Sequence, residues 1–516
     1  MNVKNKIIIF NFIFLIIISS TYAQDISLWP NWVFTTPDNI IDVYPGDNLD
    51  NMMKNLNPGD KLLIHEGTYT HNHFCEFEFH GTVNQPIFIE GISGEEIIFK
   101  QLDVNQNNIN VYAGEYFSIR NIKFEGGSAG MRLRDVSHAV IEDCEVYNTR
   151  GNSINANQVA TNNLYFMHNH IHHNSCHGEG FYLGDHDGAP NIMTNSVVYN
   201  NLIHDTCTYY KVNCEKEDGD GIEVKQGSHS NLIKDNVMYN TKVTGIITYG
   251  TDGNPSNIVE GNIIIDTEGH GLQIQGETIA RNNIVINSGG RNLNSKDHVG
   301  DTKNLVFQNN ILIGGEPSVR FNNFGNREGM VFSNNIVYND GGTAIQINDG
   351  LSNGIFEGNY IQGSYPSELS SGVTLGRSLT QDFIDSNNMN YYPKDGFFSG
   401  QNQISGHNVN HDLLYQTRGN SIYAGAFEKT DNIGYEILKD FKYPSRADLN
   451  QIHVSVNGND NTGDGSSSNP YNTINKGAEE LTTEKNHLVI HEGTYYLTQA
   501  INFYEKPGTV DKPYII

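Results

Sequence analysis

Residues capable of moving protons, carboxylates with His, Tyr and Lys, recur at matching phase in one stretch of the chain. The segments Gly180-Phe181-Tyr182-Leu183, Gly221-Ile222-Glu223-Val224, Gly245-Ile246-Ile247-Thr248 and Gly271-Leu272-Gln273-Ile274 share the pattern Gly-apolar-x-apolar. Aligned on their glycines, they place Glu179, Asp220, Thr244 and His270 at one phase. Tyr182, Glu223, Ile247 and Gln273 fall at a second, and Gly184, Lys225, Tyr249 and Gln275 at a third. Lys, Tyr, His and carboxylates gathered in this way suit β-elimination of a uronic-acid polymer. That reaction needs a group to neutralise the sugar carboxylate, a base for the C5 proton and an acid for the leaving oxygen. Lys225 is the candidate base, Tyr249 the candidate base or acid, and His270 a third catalytic candidate. Tyr182, Glu223, Gln273, Gln275 and Arg320 are candidates for holding the sugar. The neutraliser could be Ca²⁺ on Asp218 and Asp220, helped by Asp185, Asp187, Glu215 or Glu217, because a hard cation takes several oxygens. Competing structural readings are a solvated acidic loop of Asp-Gly turns and a lysine on a strand surface. The carboxylate of Glu223, two residues away, works against a depressed Lys225 pKa.

Phase has meaning only if distant segments stack. A second pattern, apolar-x-x-x-Asn-apolar-apolar-x-Asn/Asp/Gly, recurs at 232–240, 258–266, 279–287, 331–339 and 355–363. Its central position falls at 121, 144, 170, 201, 236, 262, 283, 310, 335 and 359, and is Asn in all but Cys144 and His170. Spacings of 21 to 35 residues suit three short strands with turns rather than a strand-helix-strand unit. Each repeat is therefore one coil of a solenoid. An inward Asn at a sharp turn bonds its own backbone and its counterparts in adjacent coils, which predicts an asparagine ladder. The two longest coils carry insertions at 185–190 and 206–219, and insertions in a solenoid collect on one face and often build its groove. His168, His170, His172 and His173 alternate in direction along a strand, so all four cannot converge on a metal, and ladder and surface roles are expected for them.

Period, ladder and Gly-led strands together resemble the right-handed parallel β-helix superfamily of secreted pectate-lyase-like proteins, over about residues 40–428. The resemblance implies an all-β solenoid with a short N-terminal cap helix, for which 47–56 is suited, an opening strand over 60–69, and a closing segment over 412–428. It also implies a polysaccharide substrate. The run Glu223-Val224-Lys225-Gln226-Gly227 is similar to the lysine-bearing coil of the chondroitinase-B and alginate lyase family, whose Arg one coil later is replaced here by Thr248-Tyr249. Asp218-Gly219-Asp220 and Gly269-His270-Gly271 are similar to the motifs of polygalacturonase-like hydrolases, which keeps hydrolysis open. A non-catalytic carbohydrate-binding or adhesive solenoid, with Tyr182, Tyr209, Tyr210 and Tyr249 as stacking surfaces, is a third reading. The expected activity is a polysaccharide lyase acting on an acidic polysaccharide.

Organisation and composition agree with this. Lys4 and Lys6 precede an apolar run over 7–18, and Thr21-Tyr22-Ala23 supplies small residues for cleavage, so 1–23 read as a secretory signal peptide. No second such run occurs, so no membrane span is expected in the mature chain, which is placed outside the cytoplasm, secreted, periplasmic or at the cell surface. The β-helix domain is expected over 24–428, a linker over 429–450, and the start of a second β-helix over 451–516. That last expectation rests on 487–495 repeating 61–69 and on Gly508-Thr509-Val510-Asp511-Lys512-Pro513 repeating 81–86. About one coil cannot bury its own core, so the sequence is expected to be part of a longer chain. With 59 Asp and Glu against 32 Lys and Arg, a net charge of −27 disfavours nucleic acid as a partner. A monomer is expected. Among five cysteines, Cys207 and Cys214 are spaced to close a small loop in an oxidising compartment.

Overall fold

The computed structural model describes residues 28–175, 178–185, 190–208, 218–429, 451–466, 469–481, 487–491 and 494–495. The signal segment 1–23, Asp187, Tyr209, Tyr210, Cys214, Glu215, Glu217, linker residues 430–450 and residues 496–516 lie outside the described residues. The chain forms two compact units, Trp32–Gly434 and one that joins Met1–Asn31 to Tyr435–Ile516.

In the first unit three parallel sheets run side by side. Among the described residues the first has 14 strands, from Asn39–Val43 to Ile355–Glu357. The second has 13, from Gly67–His71 to Val373–Leu375, and the third has 11, from Glu76–Phe77 to Ile345–Ile347. The chain visits each sheet in turn and then repeats, so every strand pairs with the equivalent strand one coil away. This is a parallel β-helix. The expected copies become one strand of the first sheet and one of the second: 232–240 forms Leu232–Lys234 and Val237–Tyr239, and 279–287 forms Thr278–Arg281 and Ile284–Ile286. Alternate residues point inward and build one continuous core from Val43 to Leu369. The coil is capped by the helix Leu49–Lys54, whose N-cap Asn48 side chain accepts from the Asn51 amide.

The corner between the first and second sheets is made by two residues. The first adopts a left-handed backbone, with φ of 52° at Asp143, 55° at His168, 51° at Asn200, 54° at Asp235 and 56° at Asn282. Short polar side chains tolerate that region better than β-branched ones. The second residue points inward and forms the ladder. The Asn262 side-chain oxygen accepts from the Asn236 amide at 3.0 Å and the Asn236 side-chain nitrogen at 2.9 Å. Its own nitrogen donates to Ile233 O at 3.0 Å and to Asn283 Oδ1 at 3.0 Å. The same bonds link Asn169, Asn201, Asn236, Asn262, Asn283, Asn310, Asn335 and Asn359. Two markers read from the sequence shift by one residue. The ladder member is Asn169 rather than His170, and Ile122 follows the left-handed Asn121, because the ladder position always succeeds the left-handed residue.

The outward, left-handed residues of this corner are used as well. Residues 402–428 run back along it. The Asn282 side chain donates to His411 O at 2.8 Å and accepts from Arg418 at 3.1 Å, Asn309 donates to Tyr423 O at 3.0 Å, and Asn334 donates to Asn402 O at 3.0 Å. Tyr415 bonds Asp235. The closing segment thus fastens to side chains that the coil geometry already exposes.

In the second unit the strand Gln451–Val454 pairs in parallel with His487–Ile490, with the helix Ile474–Glu479 between them in sequence. Tyr495 donates to Val454 O at 3.1 Å and to His491 O at 2.9 Å. Tyr69 makes the same pair of contacts, with Val43 O at 3.1 Å and His65 O at 2.8 Å. Among the described residues no helix is long and apolar enough to cross a membrane.

Replacing Asn262 by Leu removes the acceptor of two buried N–H donors and the donor to Ile233 O. At about 1–3 kcal/mol for each group left unpaired, the expected loss exceeds about 3 kcal/mol in a denaturant titration. Asn326→Ala, on the exposed surface, is expected to stay within about 0.5 kcal/mol of wild type.

Candidate active site

The third sheet places the proton-moving residues. Its Gly-led strands are Phe181–Leu183, Ile222–Val224, Ile246–Thr248 and Leu272–Ile274. The glycines are there because the coils approach closely: a Cβ on Gly221 would sit 2.6 Å from the Gly245 carbonyl oxygen. Backbone registration brings the predicted phases together. Tyr182 pairs with Glu223, Glu223 with Ile247 and Ile247 with Gln273. The column continues through Asn294 to Arg320, which puts Arg320 in line with Gln273. The residues before the glycines also align, since Gly180 N bonds Asp220 O, Gly221 N bonds Thr244 O, and Gly245 N bonds His270 O.

The side chains at one end form a buried, charged knot. Glu223 Oε1 accepts from Lys225 Nζ at 2.5 Å and from the Tyr249 hydroxyl at 2.9 Å. Lys225 is 5% exposed and lies between two tyrosines, 4.4 Å from the Tyr182 ring and 5.0 Å from the Tyr249 ring. Carboxylate oxygens of Glu179, Asp220 and Glu223 lie within 4.8 Å of one another, all three residues buried. Glu223 Oε2 has no hydrogen-bond partner among the described residues. Burial and the neighbouring Glu223 charge push Asp220 up to about 7, although its oxygen accepts from the Thr244 amide at 2.6 Å. Burial, Glu223 and Asp220 hold Glu179 well above the usual carboxylate range. Tyr249 is driven far upward by burial and by Glu223, so its hydroxyl keeps its proton.

The other end of the column is basic. His270 is pulled down to about 4 by burial and by Arg291, Lys296 and Arg320. Its Nδ1 accepts from the Arg291 amide at 3.1 Å, which leaves the proton on Nε2. Arg320 Nε donates to Asn322 at 2.9 Å. Adjacent strands stand about 4.8 Å apart, so His270 is two coils, about 10 Å, from the Glu223 coil, and Arg320 is four coils, about 19 Å, from it. The surface therefore carries acid at one end and cations at the other.

Some sequence expectations are placed elsewhere. The third phase is less wet than an exposed wall would be: Lys225 is buried, Tyr249 half-buried, and Gln275 fully buried with neither amide atom partnered among the described residues. Asp185 accepts from the Asn191 side chain at 3.2 Å, at the base of the insertion. Neither Asp185 nor Asp218 belongs to the carboxylate triad, although the Asp218 charge contributes to raising Glu179. Of the predicted metal set, Asp220 is in the triad, joined by Glu223 and by Glu179. Glu179, Arg291 and Lys296 were not singled out in the sequence. The signal for Glu179 was present, since it shares the phase of Asp220, whereas the two cations lie in irregular connections that carry no phase.

Residues 72–215 match a family profile described as right handed beta helix region. No curated protein matches the chain. Among solved structures, the complex of XylC with xylose superposes with a TM-score of 0.52 at 9% identity, covering 75% of this chain and 98% of that one. Pectate lyase Pel9A aligns at 0.48 and 15% identity over 77% and 98% of the two chains. The alginate lyase from Paenibacillus sp. str. FPU-7 aligns at 0.40 and 16% identity over 65% and 99%. This chain is a right-handed parallel β-helix. The likeness at these identities extends to the fold, and the chemistry must be argued from the side chains.

A raised Asp220 pKa means that the native state holds a proton the unfolded chain releases near pH 4. Unfolding then releases protons between about pH 4 and pH 7, so stability falls across that window and levels off above it. Asp220→Asn keeps an acceptor for the Thr244 amide without the charge. In chelator-containing buffer it is expected to be more stable than wild type by roughly 2–4 kcal/mol at pH 8, with the difference vanishing near pH 4. Equal stabilities at both pH values would contradict the buried-acid assignment.

Proposed function

We propose that this protein acts on an extracellular acidic polysaccharide and cleaves it by β-elimination along the third sheet of the β-helix. The observation that carries the reading is the shared Glu223 oxygen, which holds an amine and a phenol side by side on a carboxylate clustered with Glu179 and Asp220. In this reading Lys225 accepts the C5 proton and Tyr249, whose hydroxyl stays protonated, delivers a proton to the leaving glycosidic oxygen. Tyr182 and Tyr249 flank Lys225 and offer ring faces to the sugar. Arg320, Gln273 and the half-buried His270 Nε2–H lie further along the column, where uronate carboxylates and hydroxyls of neighbouring sugars would be held. Gln275 backs the column from within.

In the ion-paired state Lys225 is an ammonium and cannot act as a base. Glu179, Asp220 and Glu223 are all oxygen donors, are close enough to share one ion, and include an oxygen with no described partner, so they fit a hard cation such as Ca²⁺. Bound there, the cation would neutralise a substrate carboxylate and take up the charge that favours the Lys225 ammonium. Hydrolysis by an inverting pair of carboxylates is less well supported. An inverting pair needs about 6.5–9.5 Å between its carboxyl groups to admit water, and the triad is packed more tightly than that.

Incubation with alginate, pectate, chondroitin and neutral glycans, with Ca²⁺ or with chelator, tests the reading. Ultraviolet absorbance from unsaturated uronate ends is expected on at least one acidic polymer, and its loss with chelator. Lys225→Ala and Tyr249→Phe are each expected to slow that signal by about 10²–10⁴-fold with unchanged circular dichroism. Reducing ends without the absorbance would indicate hydrolysis instead, and full activity in both variants would remove the assignment.

A further inference from the structure

The second sheet carries a cluster that plays no part in this chemistry. Glu145 and Tyr147 pair in register with His170 and His172, and His172 pairs with His204. His173 and Asp205 occupy the left-handed corner positions that follow, with φ of 53° and 51°. His168 is the exception among the four sequence histidines: it is buried at the opposite corner, 3.6 Å from Asp143. The other three converge with His204, which the strand-alternation argument did not foresee because it left out the next coil. The rings are held in place by stacking. His172 lies on His204 at 5.1 Å and His204 on Tyr239 at 4.6 Å, both pairs within 4° of parallel, and Tyr147 lies on His172 at 5.4 Å.

The nitrogens and carboxylate oxygens form a closed ring of six contacts. Glu145 Oε1 is 3.0 Å from His172 Nε2, and His172 Nδ1 is 2.6 Å from His173 Nδ1. His173 Nε2 is 4.0 Å from Asp205 Oδ2, which is 2.7 Å from His204 Nδ1. His204 Nε2 is 2.8 Å from His170 Nε2, and His170 Nδ1 closes the ring 4.0 Å from Glu145 Oε1. The four contacts at 2.6–3.0 Å each need a proton between two atoms with lone pairs, whereas the two at 4.0 Å are too long for hydrogen bonds. Four neutral imidazoles carry four protons and ionised carboxylates carry none. Four short contacts and four protons therefore match, one proton to each. The short contacts take the protons, and the two at 4.0 Å are the ones left open.

Ligand atoms of Glu145, His170 and His172 lie within 4.8 Å of one another, and one divalent ion fits among them without upsetting this count. Placed among Glu145 Oε1, His170 Nδ1 and His172 Nε2, it fills both contacts to Glu145. The four protons then point along the four remaining contacts: His170 to His204, His204 to Asp205, His172 to His173, and His173 towards Asp205. A second ion among His173, His204 and Asp205 would leave N–H facing N–H at both short histidine contacts, so the ring takes one. We propose that the second sheet binds a single first-row transition-metal ion of the zinc type through Glu145, His170 and His172, with His173, His204 and Asp205 orienting the ligand rings. Two imidazoles and a carboxylate are zinc ligands at about 2.0–2.2 Å, and ligands on one such ion lie up to about 4 Å apart, as these three atoms nearly do. The Glu145 side is favoured over its counterpart because all three ligands sit on paired strands. The outer groups would act as orienting partners commonly do, each accepting the second N–H of a ligand or its relay.

Zn²⁺ alone, titrated calorimetrically into the full chain after chelator treatment, is expected to bind at one ion per chain. Co²⁺ in its place is expected to give visible ligand-field absorption. Glu145→Gln and His172→Ala should weaken Zn²⁺ binding at least about tenfold, while Asp50→Asn, at the separate Asp50, His73 and Cys75 group, should leave it unchanged. Anomalous scattering from Zn²⁺-soaked crystals of the wild-type chain locates the ion independently of any variant. No binding, binding undiminished by both ligand variants, or an anomalous peak elsewhere would each overturn the proposal.

Discussion

The molecule depends on satisfying backbone and side-chain polar groups at a corner that is repeated at every coil. A parallel coil must turn sharply between sheets, and each turn buries amide groups that no strand ladder can reach. The inward asparagine solves this because its side chain has two donors and an oxygen that accepts twice, which matches what the turn and the coils on either side require. Seven successive amide-to-oxygen links, from Asn169 to Asn359, make the corner rigid along the length of the solenoid. The preceding left-handed residue completes the turn and leaves a short polar side chain outside, where the closing segment binds. Inner and outer surfaces of one corner thus serve the stacking and the strap respectively.

Rigid stacking is what allows chemistry on the flat faces. Residues far apart in sequence become neighbours about 4.8 Å apart, and the position of each is fixed by strand register rather than by a flexible loop. On the third sheet this gathers Glu179, Asp220 and Glu223 against Lys225 and Tyr249, at a local concentration of charge that water would disperse. Burial pushes Glu179, Asp220 and Tyr249 above their usual ranges, and Arg291, Lys296 and Arg320 lie three to four coils further along. On the second sheet the same geometry draws histidines from two coils and a glutamate from a third into one ring. The fold supplies alignment, and the side chains on each face decide its use.

Much of the architecture was legible in the sequence because its cause is periodic. The ladder asparagine, the glycine ahead of each third-sheet strand and the outward alternation all recur at fixed phase, so the pairing of Tyr182, Glu223, Ile247 and Gln273 could be read before any coordinates. The one-residue slip at 121 arose where Ile122 replaces asparagine at the ladder position and leaves the left-handed Asn121 as the apparent marker, whereas at 170 the ladder asparagine is present one residue earlier, as Asn169. Phase does not report depth. Lys225 and Gln275 share a phase with Tyr249, and their burial depends on how neighbouring side chains cover them.

The sequence by itself determined the number of sheets, the order of the coils and the columns in which residues would meet, since these follow from local turn chemistry and strand alternation. Only the tertiary structure decided which members of a column touch and which are buried. Glu223 as the shared acceptor of Lys225 and Tyr249, and His204 as partner to His170, depend on side chains reaching diagonally between coils, a direction along which linear spacing has no period.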